Sequence, residues 1–237
     1  MKIKTKTIEE FLTKVKLAGS QRIDDAILDF QEEGLVFKAN SMVMHAMTNS
    51  ILKKEAFTEY EALGKIGVNN MSQLVSIISR FNEEITISKN GNLLEIKGTG
   101  KKVEFELINE NAITSYPKKD IEFKYENFFT ITSDKLKEII ADIKQNSDTQ
   151  LIITTEEDKV VFKNTGKYKF THEIEAKGIE PKLYIKFGSP LIDSIENVIK
   201  YKNDIVVGLT SNYPMTLTET TDISVVSIIA VPRVDNE

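Results

Sequence analysis

The chain has 237 residues, 41% hydrophobic and 28% charged, enough for one large core or two of ordinary size. Its formal net charge of -5 argues against a generally basic nucleic-acid binder, although 31 Lys and Arg leave room for a basic surface that faces one way. The absence of cysteine excludes disulfides and thiolate chemistry, no apolar run is long enough to cross a bilayer, and Met1–Lys6 is unlike a signal peptide, so an intracellular protein is expected.

Ile8, Phe11, Leu12 and Val15 keep helical spacing, and Ala18-Gly19 supplies a small-residue stop. Arg22 to Lys38 alternates loosely and predicts two strands around Gln31-Glu32-Glu33-Gly34, with more strand through Met42–Leu52. Asn70 can cap a second helix over Asn70–Phe81, whose apolar face is Met71, Leu74, Val75, Ile78 and Phe81. Asn90-Gly91 between Ile85–Ser88 and Leu93–Lys97 is a strong hairpin signal, and Lys102–Leu107 follows as another strand. A third helix over Ser133–Gln145 carries Leu136, Ile139, Ile140 and Ile143 on one side. Strands are expected behind it at Gln150–Thr154, Lys159–Lys163 and Lys169–Ile174. A fourth helix over Ser189–Tyr201 precedes strands at Ile205–Thr210, Met215–Glu219 and Val225–Val231.

One stretch repeats. Glu33-Gly34-Leu35-Val36-Phe37-Lys38 is echoed by Asp158-Lys159-Val160-Val161-Phe162-Lys163, and Phe11 stands as far before Phe37 as Leu136 before Phe162. The chain thus reads as four units, each a helix followed by antiparallel strands. The expected class is α+β, with two similar domains of two helices backed by antiparallel sheets. The polar stretch 109–120, holding Tyr116-Pro117-Lys118-Lys119, has a linker composition and separates residues 1–108 from 121–237.

Four pieces carry a family resemblance: the opening helix running into Ile23-Asp24-Asp25-Ala26-Ile27-Leu28-Asp29-Phe30, the segment Ile66-Gly67-Val68-Asn69-Asn70-Met71-Ser72-Gln73-Leu74, the linker with Tyr116-Pro117, and the ending Ile229-Ala230-Val231-Pro232-Arg233-Val234-Asp235. In this order the chain resembles the DNA sliding clamps of the proliferating cell nuclear antigen (PCNA) type. The resemblance implies the clamp fold and a closed homotrimeric ring, with helices lining the hole and sheets forming the outer wall. It implies a processivity factor on duplex DNA, loaded by an ATP-driven clamp loader, that tethers DNA polymerase and other peptide-motif-bearing replication and repair proteins. It implies neither cofactor nor metal. A subunit of a heterotrimeric clamp, or a monomeric viral processivity factor of the same fold, is the nearest alternative.

Three sites follow from the resemblance. A protein sliding on a duplex needs Lys and Arg facing the phosphates and no base contacts. Candidates on or just beyond the helices are Lys14, Lys16, Arg22, Arg80, Lys135, Lys137, Lys144, Lys200 and Lys202. Glu10, Glu138, Asp142, Asp193 and Glu196 share those helices, so a plain solvated face is the competing reading. A partner-peptide pocket beneath the linker draws on Asn40, Met44, His45, Met47, Ile113, Tyr116, Pro117, Ile229, Ala230 and Pro232. Ser41-Met42-Val43-Met44 departs from the family there, where a more polar Asp-containing segment is usual; flexible methionines suit a groove for several ligands but equally fill a core. A subunit joint pairs Lys102–Ile108, through Val103, Phe105 and Leu107, with Gly166–Glu175 of a neighbour, through Tyr168, Phe170 and His172; alternation alone allows both strands to be internal instead. An enzyme is the remaining competitor. The two histidines, His45 and His172, lie far apart in strand-like sequence, and no phosphate loop, nucleophile elbow or metal-ligand spacing occurs, so catalysis is not expected.

Overall fold

The computed structural model describes residues 1–117, 123–146 and 150–233, except for the side chains of Pro190 and Asp193. The last linker residues, 118–120, and Val234-Asp235 of the C-terminal motif therefore lie outside the described residues. The first part of the chain runs β1 (Lys2–Lys4), α1 (Thr5–Val15), β2 (Ala26–Gln31), β3 (Gly34–Asn40), β4 (Ala46–Lys53), β5 (Phe57–Glu59), β6 (Gly64–Val68), α2 (Met71–Ile78), β7 (Glu84–Asn90), β8 (Leu93–Gly98) and β9 (Lys101–Glu106). The second part runs β10 (Asn127–Thr132), α3 (Ser133–Ile143), β11 (Leu151–Glu156), β12 (Lys159–Asn164), β13 (Thr171–Glu175), β14 (Tyr184–Phe187), α4 (Ser189–Ile195), β15 (Asp204–Leu209), β16 (Met215–Thr220) and β17 (Ser224–Ala230).

The helices form where their apolar stripes predict. α1 buries Ile8, Phe11, Leu12 and Val15, and α3 buries Leu136, Ile139, Ile140 and Ile143. The Asn70 side chain accepts from Gln73 N at 2.8 Å and caps α2, while Thr132 accepts from Lys135 N at 3.2 Å and caps α3. α4 is shorter than expected. It ends at Ile195, where Val198 N turns back to Ile195 O at 3.0 Å in a three-residue turn. The Asn197 side chain instead donates to Leu17 O, yet Val198 and Ile199 remain buried.

The strands make three antiparallel sheets among the described residues. The central one has the order β10-β15-β16-β17-β4-β3-β2-β6 and passes from the second part of the chain to the first at the β17–β4 pair. The others are β5-β1-β7-β8-β9 and β13-β12-β11-β14. One hydrophobic core runs beneath them from Met1 to Ala230. The echoed sequences are equivalent hairpins: Gln31 pairs with Gly34 and Glu156 with Lys159, while Phe37 faces Ser50 and Phe162 faces His172. Gly34 is required at its turn, because it has φ 143° and a Cβ there would lie 2.2 Å from Leu52 O.

The equal helix spacing, however, matches different positions. β1 and β10 lead into α1 and α3 in the same way, so Ile8 corresponds to Leu136 and Phe11 to Ile139. The connection from helix to hairpin is simply shorter after α3. β9 and β13 are both outermost in their sheets, which removes the reading of them as internal strands.

Candidate functional site

The four helices form a connected layer over the core. α1 packs on α2, Asn197 beyond α4 binds the end of α1, and Lys144 at the end of α3 meets Glu196 at 3.1 Å. Three expected basic residues converge at the end of α1. The Lys16 ammonium is pushed below its usual range, first by burial and then by the nearby Arg22; Asp24 offsets part of this, and Lys200 adds a further repulsion. The chain thus brings cations from the short turn after α1 and the segment after α4 near Lys16, although both disfavour its charged form. Arg80, Lys137, Lys144 and Lys202 are also exposed. Arg22 has Asp24 at 2.8 Å and Lys202 has Asp134 at 3.8 Å, so part of this charge is already offset.

Two of the expected DNA-facing residues stand elsewhere. Lys14 is 2% exposed, with its Nζ 2.7 Å from both Glu10 and Glu219 and 4.7 Å from the centre of the Tyr201 ring. It is a buried strut between α1 and β16, not a surface cation. The sequence carried a signal for this: Lys14 follows Phe11 by three residues, on the apolar stripe, with Glu10 one turn before. Lys135 turns to Glu138 at 2.9 Å and to His172 Nδ1 at 3.3 Å. Glu138, Asp142 and His172 bring their ligand atoms within 4.8 Å of one another, but the Lys135 ammonium already supplies a cation to this group.

The outer face of the central sheet carries the second site. Its register sets Phe128, Gly208, Thr216, Ile229, Met47 and Asn40 in one row across six strands. The linker borders this row, for Asn40 N donates to Ser115 O at 2.8 Å. At the end of the β17–β4 seam lies a cavity of about 330 Å³ lined by His45, Gly188, Leu191, Val231, Pro232 and Arg233. The loop before it exposes Met42 by 80% and Met44 by 73%, so these methionines do not fill a core.

Of the expected pocket residues, His45 and Pro232 line this cavity, Met44 is exposed next to His45 in the chain, and Asn40, Met47 and Ile229 share the row. Ala230 points into the core, and Ile113 and Ile229 are buried as well, at 7% and 6% exposed, so none of the three offers surface. Tyr116 lies under the Lys65 ammonium at 5.0 Å, and Pro117 is half-buried. The sequence reading missed an aromatic cluster at the Phe128 end of the row. Tyr125 sits between Phe128 at 6.0 Å and Tyr213 at 5.8 Å, and Phe123 touches both tyrosines. Gly208 makes room for it, since a Cβ there would come within 2.9 Å of the Tyr125 ring. Burial pushes the Tyr125 hydroxyl up to about 12. The density of Phe and Tyr just after the linker was the available signal.

At the sheet edges, Val103 and Phe105 lie on β9, the Phe105 side chain in the core, whereas Leu107 lies past the end of the strand and also joins the core. Tyr168 and Phe170 precede β13. Asn164 accepts from Phe170 N at 2.7 Å and Asn146 accepts from Tyr168 N at 2.9 Å, taking over the ladder where no strand lies opposite. His172 turns inward and meets Asp142 at 2.8 Å.

Helices laid over antiparallel sheets, with the helix–strand order used twice and one sheet bridging the two parts, define the clamp fold. Solved structures bear this out. A. fulgidus PCNA bound to the C-terminal region of FEN-1 superposes with a TM-score of 0.85 at 18% identity, covering 100% of this chain and 98% of that one. PCNA from Entamoeba histolytica gives 0.83 at 14%, covering 98% of each chain, and that from Thermococcus kodakaraensis 0.81 at 16%, covering 98% and 99%. In sequence the chain is similar to DNA polymerase sliding clamp 1 of Sulfurisphaera tokodaii, 26% identical over 151 residues, and to that of Sulfurisphaera ohwakuensis, 25% identical. The matched part is 62% of this chain and spans 61% of those relatives. No family model matches. The PCNA-type resemblance thus holds in both sequence and fold.

Proposed function

We propose that the protein is a non-catalytic DNA sliding clamp: a homotrimeric ring that encircles duplex DNA and acts as a processivity factor for DNA polymerase. Residues 1–108 and 121–237 are its two domains, with 109–120 connecting them. The observation that carries the reading is the pair of open edges. β9 and β13 hold the places of β17 and β4, which are paired within the chain, so a second copy completes the same pairing. The Lys16–Arg22–Lys200 cluster on the helix layer supplies a phosphate-facing surface without base readout. Light scattering should give three copies per particle, and stimulation of a polymerase on a primed circular template should require a clamp loader. A strict monomer at high concentration overturns the ring.

The groove along the Asn40–Phe128 row takes a short partner peptide with aliphatic and aromatic anchors. The A. fulgidus clamp, bound to the C-terminal region of FEN-1, supports a peptide of a replication or repair protein as the ligand. Met44→Glu and Val231→Glu should each weaken such a peptide about tenfold or more by titration calorimetry, because each sets a charge at an apolar contact. Unchanged affinity in both would move the docking site elsewhere.

A further inference from the structure

The helices and strands of the two parts correspond position by position within each element, and this correspondence gives a register in which a second copy would meet the first. Met71, Val75, Ile78, Phe81 and Ile85 hold the places of Leu191, Ile195, Val198, Tyr201 and Ile205. Ile87 pairs with Ile96 and Ile96 with Val103, as Val207 pairs with Leu217 and Leu217 with Ile228. Val103 is therefore the counterpart of Ile228. On the other side Phe37 faces Ser50 and Phe162 faces His172, so His172 is the counterpart of Ser50 and Phe170 of Thr48. Within the chain Ile228 pairs with Thr48. Val103 of one copy accordingly falls opposite Phe170 of the other, and Lys101 opposite His172. The same register sets Glu104 against Lys169 and Glu106 against Lys167, acid against base, although no charge entered its derivation.

The helices reach the same place independently. With Ile8 at Leu136, Glu10 corresponds to Glu138 and Lys14 to Asp142. In the internal joint the Lys14 ammonium lies over Tyr201 and binds Glu10 and Glu219. At the open edge the counterpart ring, Phe81, carries the Lys101 ammonium at 4.5 Å, and the Lys14 position holds a carboxylate. The cation stands on helix α1 at the internal joint and on strand β9 at the open edge.

Resting on the ring reading, we propose that Lys101 of each subunit, seated over its own Phe81, pairs with Asp142 and Glu138 of the partner subunit beside His172, and that this contact sets the register of the subunit joint. Asp142 already holds His172 Nε2 at 2.8 Å, so the carboxylate is positioned before the partner arrives.

Because the chain has no cysteine, cysteine-pair cross-linking is free of background. Val103→Cys with Phe170→Cys should link subunits under mild oxidation, while the shifted pair Val103→Cys with His172→Cys links about tenfold less, since directly opposed Cα atoms lie about 4.5–5.5 Å apart and diagonal ones do not. By sedimentation, Lys101→Glu should raise the subunit dissociation constant about tenfold or more, and Asp142→Lys added to it should recover most of the loss. Lys101 is exposed, so its variants should keep the parent far-ultraviolet circular dichroism spectrum, which separates lost assembly from lost folding. Cross-linking only in the shifted register, or a dissociation constant indifferent to Lys101→Glu, overturns this joint while leaving a ring intact. Absence of any oligomer in the parent protein overturns the ring reading and this joint together.

Discussion

Lys14→Ala is expected to lower the unfolding free energy by about 3–5 kcal/mol, the cost of leaving one member of a buried ion pair without its partner. Lys14 and Glu219 are 2% and 1% exposed, and their atoms approach to 2.7 Å. Without the ammonium, Glu219 retains the Asn203 amide as its donor, and its Oε2 has no hydrogen-bond partner among the described residues. The loss is large because the pair joins α1 to β16, between distant parts of the chain. Removing both charges, as Lys14→Met with Glu219→Gln, should cost much less, since no uncompensated charge then remains in the interior. Urea titration of the three proteins tests this. Equal losses in single and double variants would show that packing, not charge, carries the effect.

The second large effect concerns DNA. Replacing Lys16, Arg22 and Lys200 together by alanine should lower the slope of log affinity against log salt by about 2–3, at roughly 0.9 per phosphate contact. Polymerase stimulation on a circular template should fall with it, and subunit assembly should not. The cluster is singled out because Lys16 is held below its usual range by burial and by Arg22, so bound phosphate stabilises its charged form. Charge reversal at Lys137 and Lys144 should also weaken loading, with Lys144 giving the smaller effect because Glu196 lies 3.1 Å from it. Lys14→Ala should leave the salt slope unchanged. A slope indifferent to the triple variant would move the phosphate contacts to other residues.

These two outcomes separate residues that look alike in sequence. Lys14 and Lys16 are two positions apart near the end of one amphipathic helix, and composition gives them the same reading. Helical phase distinguishes them in part, since Lys14 follows Phe11 by three residues. What shields Lys14 is Glu219, far away in sequence and brought near by the strand order of the central sheet. The same order explains the row across the central sheet: Asn40, Met47 and Ile229 were legible as candidates, but Phe128 joins them only through the ladders across β15 and β16.

Short strands were harder to read than helices. β1 and β14, with three and four residues, give too few positions for alternation to stand out, and α4 ends early at the turn after Ile195, with the Asn197 contact beside it, without disturbing its apolar spacing.

By itself the sequence determined the helix faces, the hairpins at Asn90-Gly91 and Glu33-Gly34, the repeat and the resemblance, because these depend on periodicity, turn chemistry and order along the chain. Only the tertiary structure decided which lysine is buried, which cations stand near one another, and which strands lie outermost in their sheets. Those depend on pairing between strands far apart in sequence, and local spacing carries no information about it.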